Sequence, residues 1–222
     1  MTTLLSAGET NAKLAKASEG IDATIQYLEP TADFCRGAAN AGCMSTCITT
    51  SGRMPMHLLA RLRRNAIALN ELAYAVQIRR ELATQQRRAD RNGDLAVHRN
   101  DGTSDRGYAI KLAPEFPRMI FYDYTKILGR ALKYSRGEYA PNYHLTFSFG
   151  KNTSTETVDR LLALNVNVAV VFPEDAPLPT TWRGHPVHDG TANDWRWRDL
   201  PGIVGLTAKG DAKGETEGFV VR

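Results

Sequence analysis

The stretch Tyr143-His-Leu-Thr-Phe-Ser-Phe-Gly-Lys-Asn-Thr-Ser-Thr-Glu-Thr-Val-Asp-Arg-Leu-Leu-Ala-Leu-Asn-Val-Asn-Val-Ala-Val-Val-Phe172 decides the fold. Its first seven residues are mostly aromatic or β-branched and read as a strand. Gly150 breaks that run. Thr155–Leu164 then reads as a helix, with Ser154 or Thr153 placed to cap it and Glu156 in its first turn. Asn167–Phe172 reads as a second strand. Strand, helix and strand within about thirty residues predict a right-handed βαβ unit, and so a parallel sheet.

The same rhythm extends on both sides. Leu95–Asn100, Met119–Tyr124 and Ile203–Ala208 have strand composition, and Thr125–Tyr134 is helix-compatible. The expected class is α/β: an open parallel sheet or a partial (β/α) barrel. A closed eight-stranded barrel would need a longer chain than 222 residues. From Pro55 to Arg88 no proline or glycine intervenes after the first residue, and Pro55 suits a first helical turn. Leu58, Leu59, Leu62, Ala66, Leu69, Leu72, Ala73, Val76 and Leu82 recur at three- and four-residue spacing. They are expected to form the core-facing stripe of one helix, or of two in sequence. Arg61, Arg63, Arg64, Arg79, Arg80, Arg87 and Arg88 are expected on the solvated face, ahead of a stop at Asn92-Gly93. Residues 1 to about 34 read as irregular, with Asn11–Lys16 and Ile21–Leu28 each compatible with a short helix or strand. The organisation expected is one domain over 1–222: an N-terminal segment 1–54, a long helical region 55–91, and βαβ units over 92–222.

Apolar residues are 42% and charged residues 23% of the chain, the balance of an ordinary globular protein. No apolar run is long enough to span a bilayer, and the first residues lack the pattern of a secretory signal, so no membrane partner and a cytoplasmic location are expected. A net charge of +4 permits nucleic-acid binding without demanding it.

All three cysteines, Cys35, Cys43 and Cys47, fall in one glycine-punctuated loop. In a reducing compartment, clustered thiols point to a metal or redox site rather than to disulfide staples. A cubane [4Fe-4S] cluster held at three corners, with one iron left for water, substrate or a chelating cofactor, is the leading expectation. A structural zinc and unmetallated thiols are the alternatives; zinc more often shows closer pairs and a fourth Cys or His. Arg36 and Arg53 would offset the negative charge of a three-thiolate cluster, Arg53 as a cofactor-binding residue at the start of the long helix.

In parallel α/β folds the chemistry gathers at the carboxyl ends of the strands. Asp105, Asp123, Lys126, Ser148 and Lys151 fall there and are the candidate catalytic residues, suited to a small polar, charged ligand, with Tyr122 or Tyr124 as an aromatic wall. Asp123 paired with Lys126 across a helix start is the plain structural alternative. His144 is expected to be a packed core residue. His185 and His188, in the segment Trp182–Asp199, have metal-ligand spacing but no third convergent ligand, so a polar loop or lid is expected there. The alternative function from another class is a nucleic-acid-binding protein with a structural zinc or iron–sulfur site, its contacts made by the arginines of the helical region.

A resemblance runs through these same residues. Cys-x7-Cys-x3-Cys-x3-Ser-Gly-Arg is followed by Thr103-Ser104-Asp105, Phe121-Tyr-Asp-Tyr-Thr-Lys126, Tyr143-His-Leu-Thr-Phe-Ser148, Ala169-Val-Val-Phe172, His188-Asp-Gly190 and Gly205-Leu-Thr-Ala-Lys-Gly210. In that order, from about residue 11 onward, they resemble a family of bacteriophage proteins of uncharacterised function. The resemblance implies a phage-encoded protein at work in the host cytoplasm and supplies no activity. A three-cysteine loop ahead of a half-barrel is also similar in layout to radical S-adenosylmethionine enzymes, which implies S-adenosylmethionine at the open iron. Those enzymes space their cysteines as Cys-x3-Cys-x2-Cys, and this chain does not.

Overall fold

The computed structural model describes residues 2–11, 13–15 and 19–222. Nine strands form one sheet in the order β1-β2-β3-β4-β5-β6-β9-β8-β7. They are β1 (Leu5–Ala7), β2 (Ile21–Gln26), β3 (Leu95–Arg99), β4 (Ile120–Thr125), β5 (Tyr143–Ser148), β6 (Val168–Phe172), β7 (Thr181–Trp182), β8 (His185–Asp189) and β9 (Ile203–Thr207). All neighbours run parallel except the edge pairs β1–β2 and β7–β8. The sheet is open, with β1 and β7 at its edges.

The helices are α1 (Ala38–Ala41), α2 (Leu58–Leu69), α3 (Glu71–Asn92), α4 (Ala109–Leu112), α5 (Leu128–Ser135) and α6 (Thr155–Ala163). The helices α3 to α6 pack on one face. Ile78, Leu82 and Ala89 of α3 and Ala109 and Leu112 of α4 share a core with Ala96, Phe121, Tyr143 and Leu145. Ala131 of α5 and Val158 and Leu161 of α6 share the next with Phe147, Val168 and Val170. Each fully buried Leu, Ile or Val here contributes about 1.5–3 kcal/mol by leaving water. A parallel sheet whose consecutive strands are neighbours keeps its right-handed crossovers on one side, so the other face must be covered differently. Leu14, Trp195 and Trp197 cover it, against Ile21, Ile25, Val97 and Tyr122.

The α6 unit forms as its sequence dictates, with the Ser154 hydroxyl accepting from Thr157 N at the N-cap. Elsewhere the structure corrects the sequence reading. The N-terminal segment holds two strands, β1 and β2; the Asn11–Lys16 segment lies partly outside the described residues. Thr125 closes β4, so α5 begins only at Leu128. The segment read as a polar loop or lid carries β8 and ends in a turn of 3-10 helix (Arg196–Arg198).

The helical region is two helices, and the first is reversed. Asn70 takes an extended conformation between α2 and α3, its side chain capping α3 by accepting from Ala73 N. In α2 the buried residues are Arg61, Arg64, Asn65 and Ala68. Leu59, Leu62, Leu69, Leu72 and Val76 of the expected core stripe are exposed. The arginines earn burial through specific partners. Arg61 bonds Glu29 at 2.5 Å, and Arg64 donates to Thr3 O and Ser6 Oγ, both at 2.9 Å. Asn65 holds both backbone groups of Glu29. α2 thus clasps β1 and the loop after β2 by polar contacts. Only α3, with Tyr74, Ile78, Leu82, Gln85 and Ala89 inward, packs as a core helix.

Candidate functional site

The loop after β2 carries the three cysteines across the carboxyl end of the sheet. Two glycines set how closely it lies there. A Cβ on Gly150 would stand 2.5 Å from Ala41 Cβ, and one on Gly37 would stand 2.7 Å from Lys126 Cβ. The first contact seats α1 against the end of β5, where Lys151 N donates to Ala41 O at 3.0 Å. The second brings the cysteine loop against the end of β4.

Lys126 is the centre of the arrangement. Its ammonium, turned inward, donates to Ser148 Oγ at 2.8 Å and to Phe149 O at 3.2 Å, and lies 5.0 Å from the Phe219 ring centroid. Burial lowers its pKa, opposed by the negative charge that Cys43, Cys35, Asp105 and Cys47 would carry. The thiols respond in turn. Burial first, then Cys43, Asp105 and Cys47, push Cys35 up to about 12, while Lys126 works the other way. Burial also raises Cys43, again opposed by Lys126. Cys35 and Cys43 are therefore protonated near neutral pH, and the three thiols share one electrostatic neighbourhood around one cation. Among the described residues, no group of three His, Cys, Asp or Glu side chains stands close enough to hold a single metal ion.

The run Tyr122-Asp-Tyr-Thr-Lys126 shows how one strand serves three environments. Side chains alternate across a strand. Tyr122 and Tyr124 face the helix-free side, where each hydroxyl donates to the Asp194 carboxylate at 3.2 Å. Arg99 reaches the same carboxylate at 2.6 Å and lies 4.6 Å over the Tyr124 ring. Burial would raise Asp194, but Arg99 and Arg196 hold it below the usual carboxylate range. Asp123 and Thr125 face the helices. Asp123 is 1% exposed and accepts from Asp101 N at 2.7 Å. Burial and the neighbouring Asp101 raise its pKa well above the ordinary carboxylate value. Asp105 accepts from Thr125 Oγ1 at 2.9 Å and Lys126 N at 2.8 Å, and pairs with Arg130 at 2.6 Å.

Of the residues expected at the rim, the structure gathers Asp105, Lys126 and Ser148 beside Cys35, Cys43 and Cys47. Asp123 is not with them: it is sealed between sheet and helices, and it does not pair with Lys126. Lys151 sits next to the loop but points to solvent, paired with Glu217 at 3.1 Å. Arg53 and Arg36 are exposed. His144 is half-buried in β5. His185 and His188 diverge, one to Asp159 at 2.8 Å and the other to Pro201 O at 3.1 Å. Phe219 and Asp194 were missed by sequence reasoning; no local signal ties either to residues so distant along the chain. Of the arginines considered for nucleic acid, Arg61, Arg64, Arg79 and Arg88 are engaged within the chain, the last two with Glu115 and Asp22 at 2.6 Å.

Fold and site together define an α/β protein with an open, mostly parallel sheet and a three-thiol loop at its carboxyl end. The chain belongs to the Gene product 88 family, a phage-type family whose match covers residues 3–222. No curated protein and no solved structure matches it. Among the described residues no helix is long and apolar enough to cross a membrane.

Proposed function

We propose that this protein carries a [4Fe-4S] cubane on Cys35, Cys43 and Cys47, with one iron open, and acts as a redox or radical S-adenosylmethionine-like enzyme on an open arc of (β/α) barrel. The observation that carries the reading is the gathering of every thiol in the chain around the inward ammonium of Lys126. The donor set fits the group: three soft ligands, half-buried, beside a cation. Spacing favours a cubane over zinc. A structural zinc more often shows closer pairs and a fourth Cys or His than the Cys-x7-Cys-x3-Cys run does.

When bound, such a cluster supplies one-electron transfer and a coordination position for a chelating cofactor such as S-adenosylmethionine. The chain's own residues do the rest. Cys35, at about 12 when metal-free, must release its proton on loading. Lys126 offsets the charge that then appears, held by Ser148 and the Phe149 carbonyl on its ammonium and by Asp105 on its backbone. The Phe219 ring adds a cation–π contact to that ammonium at 5.0 Å.

Anaerobic purification or reconstitution tests the proposal. The expected result is a brown protein with about four irons and four sulfides per chain, lost on Cys35→Ala. Electron paramagnetic resonance of the reduced protein is expected to change on adding S-adenosylmethionine. Stoichiometric zinc without iron would sink the assignment, and a signal indifferent to S-adenosylmethionine would remove the cofactor.

A further inference from the structure

A concavity lies beside the cysteine loop and is built from other residues. It is an open cleft of about 500 Å³ between the end of β5, the β7–β8 turn and the segment 216–222. Three cations line it, Lys151, Arg183 and Arg222, with Trp182 and Phe149 as an apolar wall. The two rings meet edge to face at 5.3 Å, and the Arg183 guanidinium lies 4.3 Å over Trp182. Thr153, also in the lining, immediately precedes the N-cap of α6, so the positive end of that helix adds to the same field. Three acids stand near these charges: Glu217, in an exposed pair with Lys151 that costs little to open, Glu156 beside Arg183, and Glu215 beside Arg222, whose oxygens also accept from the backbone of 217 and 220.

The backbone supplies an independent observation. Trp182 pairs with His185, leaving a two-residue hairpin loop in which Arg183 has φ 50° and Gly184 φ 80°. Both signs suit a tight hairpin, whose first loop position favours Asn, Asp or Gly. A long side chain is disfavoured in that conformation, and strain of this kind gathers where function holds it. Hairpin stability does not account for an arginine at 183. Its guanidinium, presented over Trp182 at the mouth of a basic cleft, does.

We propose that this cleft binds a phosphorylated small molecule of the nucleotide class. Arg183 takes phosphate oxygens through its planar fork, Lys151 and Arg222 add charge, and the Trp182–Phe149 wall receives the apolar part of the ligand. The inference does not rest on what the cysteines bind, since none of them lines the cleft.

Isothermal titration of the full chain with pyrophosphate and with ATP, at low ionic strength, tests it. Both are expected to bind, more weakly as salt is added. Arg183→Asn is expected to weaken ATP binding about tenfold or more while keeping or raising thermal stability, because Asn suits the turn. Cys35→Ala is expected to leave binding unchanged, which separates this result from any failure of the iron–sulfur reading. Absence of binding by both probes at millimolar concentration would overturn the proposal, as would ATP binding indifferent to Arg183→Asn or lost with Cys35→Ala. Binding of single-stranded DNA with no binding of either probe would overturn it too.

Discussion

His98 makes the stability of this fold depend on acid in a way that can be worked out in advance. Its ring is fully buried, with Nδ1 2.8 Å from Thr24 Oγ1. The Thr24 hydroxyl donates to Gln85 Oε1 at 2.7 Å, and the Gln85 amide donates to the Asp22 and Val97 carbonyls. Since the hydroxyl proton is committed to Gln85, the neutral ring of His98 donates from Nδ1, and its Nε2 lies 3.4 Å from Asn100 Oδ1. Burial pushes its pKa from 6.5 to about 4. The unfolded chain therefore takes up this proton first. Between pH 6.5 and about 4 the unfolded state binds more protons, so stability falls as pH falls. The loss amounts to about 3 kcal/mol by the lower limit of that window. Urea unfolding of the wild type and His98→Gln across the window measures it. The variant starts less stable but should lack this slope. Asp123, titrating in the opposite sense because its folded pKa is raised, is common to both proteins and cancels in the difference. Parallel pH dependences in the two proteins, or a ring that titrates near 6.5 by NMR, would refute the argument.

Further expectations follow from α2 and from the cysteines. Leu62→Lys and Leu72→Lys, on the exposed stripe, should change stability by less than about 0.5 kcal/mol, whereas Arg61→Ala should cost about 2–3 kcal/mol by stranding Glu29 and the backbone that Arg61 caps; urea unfolding decides between this and a core-facing stripe. In the metal-free protein, Cys35 should react with iodoacetamide at pH 8 far more slowly than a free thiol, because burial keeps it protonated. Lys126→Met should slow alkylation of both Cys35 and Cys43 further, since Lys126 lowers both thiol pKa values; a faster reaction would contradict its placement.

The alternation of strand and helix after residue 94 was legible because it depends on local chemistry. β-Branched and aromatic runs, a Ser154 cap and glycine stops act within a few residues, and they specify parallel units whose carboxyl ends carry the polar loops. The clustering of the cysteines was legible for the same reason: three thiols in thirteen residues are a local fact. Periodicity misled at α2, because a stripe of leucines marks a buried face only when apolar surface is what lies beneath. Beneath α2 lie Glu29 and the backbone of Thr3, which select arginines. Asp123 and Lys126 looked equivalent in sequence, three residues apart at one strand end. The pleat sends one to the helices and the other to the thiols, and which face holds which partner depends on the neighbouring strands. Asp194 meets β4, and Phe219 meets Lys126 just beyond it, across about seventy and ninety residues of chain. The sequence by itself determined the βαβ rhythm after residue 94 and the clustering of the three thiols in one loop. Only the tertiary structure decided which charges are buried, because burial is a property of what the whole chain packs against each residue.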